Sequence, residues 1–244
     1  MYLLIKKLIK ALIPRRFLFK NELFFRSIYG LLYKGKSHQC NICNNKLSRF
    51  TKLDNGDLLC PCCGSLSRNR RLWQLLNSEK SIKGKVLHFS PSRSLYRILK
   101  KKEIEYYSTD FEDEFLADYK FDITKIDQPK DKFDIIICYH VLEHITDDIK
   151  AMKELYRVLK PNGVIFVQTP FKEGEIYEDY SIISEEDRLS HFGQEDHVRI
   201  YSIDGLKKRL SIIGFKVNVK TFEEIDENVY FGFKSPETVL ILNK

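Results

Sequence analysis

The segment Phe133–Pro170, FDIIICYHVLEHITDDIKAMKELYRVLKPNGVIFVQTP, leaves this chain few folds to choose from. Phe133–Cys138 is a short, isoleucine-rich apolar run, the pattern of a strand buried on both faces of a parallel sheet. The polar stretch His140-Val-Leu-Glu-His144 follows, and after it Met152, Leu155, Val158 and Leu159 recur at helical spacing. Pro161-Asn162-Gly163 is expected to stop that helix, because proline cannot continue it and Asn and Gly accept the turn that follows. Gly163–Thr169 is a second buried strand. Strand, crossover helix and strand make a βαβ unit. In sheets built from such units, ligands bind at the carboxyl ends of the strands, where His140–His144 fall.

With 244 residues and 43% hydrophobic side chains, the chain can bury one α/β core and a small appendage. Its net charge of +7 is unevenly placed: residues 1–39 hold nine Lys/Arg and one Glu, a net +8, which leaves −1 for the remainder. A nearly neutral body argues against a broad nucleic-acid-binding surface. Residues 1–30 mix Leu, Ile and Phe with Lys and Arg, and Pro14 divides them. Their apolar runs are too short and too charged to span a bilayer, and the uncharged stretch and cleavage site of a secretory signal are missing. Two readings of this segment stand. It is a basic amphipathic surface for anionic lipid, or a helix that packs its apolar face on the chain itself or on a second subunit. Both place the protein in the cytoplasm, the first with peripheral contact at the inner membrane surface.

Five of the six cysteines fall between Cys40 and Cys63. The pairs Cys40-x2-Cys43 and Cys60-x2-Cys63, sixteen residues apart, have the spacing of a structural four-cysteine zinc site. Asn55-Gly56 between them signals a β-hairpin. Disulfides or free buried thiols are the alternatives, and the lack of a secretory signal disfavours disulfides. Cys62 could replace Cys60 or Cys63, whereas Cys138 lies inside an apolar strand and belongs to the core. Arg68, Arg70 and Arg71 just beyond the cluster either grip a phosphate or form the solvated first turn of a helix. These boundaries divide the chain into a basic segment 1–36, a zinc-ribbon-like module 37–68 and a main domain 69–244.

The order and spacing of FDIIICYHVLEHI and ELYRVLKPNGVIFV resemble the motifs after the fourth strand and at the fifth strand of class I S-adenosylmethionine-dependent methyltransferases. The likeness runs from about Val86 to Lys244. It closely resembles a bacterial subgroup with an N-terminal cysteine cluster and a segment like FGQEDHVRIY, here Phe192–Tyr201. The resemblance implies a Rossmann-like α/β sheet of seven strands, closed by the pair Ile212–Val219 and Glu237–Leu242, with S-adenosylmethionine as cofactor. It implies cofactor contacts from Phe89, Ser90 and Pro91 after the first strand, where the family's usual glycines are absent. Asp110 at the tip of the second strand would accept the ribose hydroxyls. Asp122 and Ile123 would lie at the adenine, with Asp118 as a competitor, and Tyr139 and His140 would follow the fourth strand.

Methyl transfer asks the protein to align the acceptor and, where needed, to take its proton. His140, Glu143 and His144 stand at i, i+3 and i+4, so one helical turn would face them together, as a general base or as ligands of a divalent ion. The alternative is that Glu143 and His144 cap the helix. The stretch Glu185–Tyr201 gathers His191, Asp196, His197 and Arg199 where this fold builds its acceptor lid; His197 is assigned to catalysis as well. The expected activity is methyl transfer to a small-molecule or glycan-type acceptor at oxygen. An RNA methyltransferase that grips its substrate through the zinc module, and a non-catalytic binding protein, are the rivals.

Overall fold

The structure, a computed structural model, describes residues 15–78, 82–223 and 225–244; the first half of the basic N-terminal segment lies outside them. The described residues fall into two compact units, one of residues 15–75 and 225–234, the other of residues 76–223 and 235–244. The boundary therefore differs from the expected break at residue 68, and a piece of the late sequence joins the cysteine unit.

The first unit begins with α1 (Arg15–Gly30), a 3-10 turn, and β1 (Lys34–Gln39), which pairs antiparallel with β2 (Lys46–Leu47). Next come β3 (Thr51–Lys52) and β4 (Leu58–Leu59), joined as a hairpin at the expected turn. Gly56 sits there at φ 81°, a conformation that glycine adopts without steric cost. Helix α2 (Ser67–Ser78) leads out of this unit.

The second unit contains β5 (Lys85–Phe89), α3 (Arg93–Leu99), β6 (Glu105–Thr109), β7 (Phe133–Tyr139), α4 (Asp148–Val158) and β8 (Leu159–Gln168). An inserted group follows: β9 (Phe171–Lys172), β10 (Tyr177–Glu178), α5 (Glu185–Phe192) and β11 (Arg199–Ser202). Then come α6 (Ile203–Ile213), β12 (Lys216–Phe222), α7 (Asp226–Phe231) and β13 (Glu237–Asn243). The main sheet has the order β6-β5-β7-β8-β13-β12; β13 runs antiparallel to both neighbours and the first four strands are parallel. Helix α7 is an excursion: the chain leaves the sheet after β12, adds this helix to the cysteine unit, and returns as β13.

The isoleucines of β7 are buried on both faces, as a central parallel strand requires. Helix α4 presents Ala151, Met152, Leu155 and Val158 to the same core, each large side chain contributing roughly 1.5–3 kcal/mol by burial. Asp147 caps it by accepting from the Lys150 amide at 3.0 Å.

Two expectations are corrected. The sheet has six strands, not seven, because the segment around Phe121–Ile123 is no strand. Just before it Tyr119 makes an isolated bridge to Thr109, and the Phe121 amide donates to the Thr109 hydroxyl at 2.7 Å rather than to a strand carbonyl. Asp122 then accepts from the Thr124 amide and hydroxyl at 2.7 and 2.8 Å, and these local bonds bend the backbone into a turn in place of a ladder. The helix also ends before Pro161-Asn162-Gly163 rather than at it. The helix ends at Val158, Leu159 already pairs with Phe133, and residues 160–163 bulge from the ladder before Val164 pairs with Ile135. A proline disfavours helix at the residue before it, so the chain is extended by Lys160. Among the described residues no helix is long and apolar enough to cross a membrane.

Candidate active site and cysteine centre

Both Cys-x2-Cys segments fold into the same turn. The Cys40 carbonyl accepts from the Asn44 amide at 2.8 Å and the Cys60 carbonyl from Gly64 at 2.9 Å, while the two cysteine amides reach the carbonyls of Asn45 and Ser65. Asn44 and Gly64 occupy equivalent left-handed positions, at φ 60° and 75°. The repeated turn aims four sulfurs at one point: Cys40 and Cys63 lie 3.7 Å apart, Cys43 and Cys60 3.8 Å, and all four sulfurs are within 4.8 Å of one another. Hydrogen bonds from its three neighbours push the Cys40 thiol far below its ordinary pKa. Cys62 stands outside the group, its sulfur against Gly30.

Arg70 and Arg71 meet neither sequence reading, because both are buried. Arg70 donates to the carbonyls of Ser65 (2.7 Å), Leu58 (3.0 Å), Phe231 (2.8 Å) and Gly232, with its guanidinium 4.2 Å from the Phe50 ring centre. Arg71 donates to Asn228 at 2.7 Å. Together they staple the α7 excursion to the cysteine centre.

At the carboxyl end of the main sheet, β5 and its neighbour β7 both exit through a non-glycine residue in the left-handed region, Ser90 at φ 43° and His140 at φ 54°. Ser90 thus supplies, without glycine, the bend at which the resemblance led one to expect glycines. Its amide extends the ladder to the Thr109 carbonyl at 2.8 Å. Asp110, at the tip of β6, is buried, accepting from Ser90 Oγ at 2.8 Å and from the Glu114 and Phe115 amides at 2.7 and 3.0 Å. A carboxylate has about four lone-pair directions, so about one remains free. Phe89 and Pro91 are buried beside this bend, Ile123 is buried in the core, and Asp122 is spent partly on its own turn. Asp118 is committed to Lys100, Ser108 and Tyr96; burial raises its pKa, but these partners hold it below the ordinary carboxylate value.

Beyond β7 the His140 amide donates to the Gln168 carbonyl at 2.8 Å, and Tyr139 is buried behind it. The turn is a 3-10 helix, Leu142–His144, so the three expected residues do not share one α-helical face. Glu143 turns inward, 1% exposed, with Oε1 3.3 Å from His140 Nδ1. Burial pushes its pKa up, yet the neighbouring His140 holds it below the ordinary value. His144 turns to Asp196, Nδ1 to Oδ2 at 3.0 Å, and packs edge-to-face on the His197 ring. His197 is 4% exposed, and burial lowers its pKa. The structure therefore groups Glu143 and His144 with His197, which sequence spacing could not show.

The inserted group stands where the sequence reading expects the acceptor lid. Its strands β9, β10 and β11 form a separate sheet, and α5 carries His191, which is exposed and hydrogen-bonds Tyr177 at 2.7 Å. A cleft of about 460 Å³ opens between this lid and the Asp110 loop, lined by Glu114, Leu189, Gln194, Glu195 and Asp196. Arg199 does not reach it. Fully buried, it donates to Glu178 at 2.9 Å and to the carbonyls of Leu142, Ile145 and Thr146. Glu178 and buried Asp148 also pair with Arg209, and Tyr201 donates to Asp148 at 2.5 Å. This balanced network of two arginines and two acids fixes the turn that carries Glu143 and His144. Its members Asp148, Glu178, Tyr201 and Arg209 carry no sequence signal of their own, since only folding brings them together.

Comparison with known proteins follows the same lines. A family model described as a methyltransferase domain matches residues 90–219, more than half of the chain. A ubiquinone biosynthesis O-methyltransferase of Histophilus somni is 44% identical over 39 residues, 16% of this chain and 16% of its own length. A tRNA U34 carboxymethyltransferase of Campylobacter jejuni is 46% identical over 44 residues, 18% of this chain and 15% of its own. The chain thus spans about a sixth of the curated relatives it matches. A SAM-dependent methyltransferase structure from Archaeoglobus fulgidus superposes with a TM-score of 0.52 at 17% identity, over 72% of this chain and 91% of that one, a likeness of fold.

Proposed function

Because the chain belongs to the methyltransferase-domain family, with the fold of class I S-adenosylmethionine-dependent methyltransferases, we propose that it methylates an oxygen of a small-molecule or sugar-type acceptor. The observation that carries this reading is His140: it leaves β7 in a left-handed conformation, is pinned by Gln168, and presents an imidazole oriented by Glu143 at the crevice. A positioned histidine suits removal of a hydroxyl proton. The cleft between the inserted group and the Asp110 loop gives an acceptor room, with Asp196 in its lining; His191 and His197 belong to the same inserted stretch.

The residues at the strand tips fit the cofactor. Phe89, Ser90 and Pro91 form the bend after β5, Asp110 retains an acceptor direction for a ribose hydroxyl, Asp122 and Ile123 flank the adenine position, and Tyr139 and His140 close the far side. S-adenosylmethionine, when bound, supplies a sulfonium methyl already activated for displacement. The protein's own work is then alignment and proton removal. Burial of Arg70 and Arg71 counts against a phosphate grip by these two arginines.

The cysteine centre fits a structural zinc ion held by Cys40, Cys43, Cys60 and Cys63. A zinc–sulfur bond of about 2.3 Å places tetrahedral sulfurs roughly 3.75 Å apart, which the 3.7 and 3.8 Å pairs match. Four thiolates around Zn²⁺ carry net negative charge, which the buried Arg70 offsets. On α1 the side chains of Leu23, Phe24, Phe25 and Ile28 are exposed, which supports contact with a membrane surface through the N-terminal segment.

The test is a calorimetric titration with S-adenosylhomocysteine, with NAD as control, followed by His140→Gln in a methyl-transfer assay over hydroxyl acceptors. Binding of the first ligand alone and a turnover loss of about 10²-fold or more in the variant are expected. A protein that binds neither ligand is a binding module on this fold, and unchanged turnover removes His140 from the chemistry.

A further inference from the structure

We propose that Glu143, His144 and His197 form a second metal site, for a divalent first-row transition ion that receives the acceptor oxygen. The three side chains each offer a ligand atom, and those atoms lie within 4.8 Å of one another. Nitrogen and oxygen donors bind such ions at about 2.0–2.2 Å, which places ligand atoms roughly 3–4.4 Å apart, so a contraction of a few tenths of an ångström closes the site.

Unsatisfied atoms point to the same ligand independently. Glu143 Oε2 and His197 Nε2 are buried and have no hydrogen-bond partner among the described residues, although their side chains are 1% and 4% exposed. Leaving such an atom unpaired is costly, more so for a charged one, and native folds rarely keep two together without a reason. An ion between them satisfies both.

The outer contacts set the histidine tautomers that a metal needs. Asp196 lies 3.0 Å from His144 Nδ1, which fixes a proton there and leaves Nε2 as a lone pair. On His197 it is Nε2 that has no hydrogen-bond partner among the described residues, which leaves that nitrogen to face an ion. A carboxylate or carbonyl behind each ligating imidazole is the usual support of a metal-bound histidine. Two imidazoles and one carboxylate suit zinc, iron, nickel or manganese better than magnesium or calcium, which prefer oxygen alone.

Three protein ligands leave open positions on the ion, and the role assigned to them rests on the methyl-transfer reading above. A coordinated acceptor hydroxyl loses its proton more readily than a free one, and His140 is the base that takes it in that reading. The acceptor oxygen then bonds to the methyl carbon as the sulfur–carbon bond breaks, and the sulfur keeps that electron pair and departs as the neutral thioether. Because Glu143 and His144 follow β7 while His197 belongs to the lid, the ion also ties the lid to the crevice.

The test uses the full chain with zinc on its cysteines, titrated with Co²⁺ and followed by visible absorption, with S-adenosylhomocysteine affinity measured in parallel. One added Co²⁺ per chain is expected, with the ligand-field bands of nitrogen and oxygen donors and no sulfur-to-cobalt charge transfer. Asp196→Asn is expected to weaken Co²⁺ by about 10–100-fold and Glu143→Gln by at least as much, with S-adenosylhomocysteine affinity kept. Asp196 is exposed, so its variant keeps the readout should the buried Glu143→Gln variant fail to fold. Absence of Co²⁺ binding in protein that binds S-adenosylhomocysteine overturns the proposal, as does binding that Asp196→Asn leaves unchanged. Cobalt binding without S-adenosylhomocysteine binding upholds the metal site and counts against the methyl-transfer reading instead.

Discussion

The Ser90 hydroxyl donates to Oδ1 of Asp110 at 2.8 Å, joining the tips of adjacent strands β5 and β6 across the crevice. The contact explains how a bend without glycine is held. The side chain that makes the left-handed φ unfavourable also supplies the bond that stabilises it, and the cost of about 1–3 kcal/mol for such a conformation is met locally.

Asp110→Ala is therefore expected to weaken S-adenosylhomocysteine by tenfold or more and to loosen the loop whose Glu114 and Phe115 amides it holds. Ser90→Gly should leave stability within about 1 kcal/mol, since strain and hydrogen bond disappear together, whereas Ser90→Ala keeps the strain and loses the bond. Calorimetry and thermal unfolding of the three variants check this; equal affinity in Asp110→Ala would take that residue out of the cofactor site.

Chelation is expected to release about one zinc per chain, the stoichiometry of a four-thiolate site, and to lower the melting temperature. Cys62→Ser should retain that zinc because its sulfur faces Gly30, while Cys40→Ser should lose it or bind it weakly. Metal analysis of the purified proteins decides, and zinc-free wild-type protein would end the assignment.

Arg199→Met is expected to destabilise the fold by about 3–5 kcal/mol, because Glu178 and three carbonyls lose a buried partner. Arg199→Lys should recover only part of this, since an ammonium cannot reproduce the planar fork. The readout is denaturant unfolding. A variant as stable as wild type would mean that this arginine does not hold the His140–His144 turn.

His88 gives the pH dependence a direction. Fully buried on β5, its pKa is pushed down to about 3 by loss of solvation, below the roughly 6.5 of an unfolded chain. Between those values the unfolded state takes up a proton that the folded state refuses. Stability from this group is thus complete above about pH 6.5 and declines as pH falls toward 3, by up to about 1.4 kcal/mol per pH unit. His88→Gln should flatten that slope. Parallel melting curves against pH for both proteins would show that the acid sensitivity comes from elsewhere.

The strands and crossover helix around Phe133–Thr169 were legible because both faces of β7 are buried and α4 repeats its apolar positions at helical spacing; both patterns are local. The paired cysteines were legible for the same reason, since each Cys-x2-Cys turn is closed by bonds within six residues. The missing third strand was not, because Asp122 and Thr124 divert it with hydrogen bonds that the apolar pattern does not reveal. Arg199 was expected at the acceptor, but its surroundings, Glu178 and the turn carbonyls, come from segments about twenty and fifty residues away.

The sheet's central strands, the cysteine centre and the crevice at the strand tips are each encoded in side-chain period or short spacing. Which polar residues meet depends on the three-dimensional fold. It sent α7 to the cysteine unit, turned Arg70, Arg71 and Arg199 inward, and brought His197 to Glu143 and His144 across fifty residues of chain. The physical reason is that a buried charge or imidazole must find its partners wherever the fold places them, and those partners leave no mark on the local sequence.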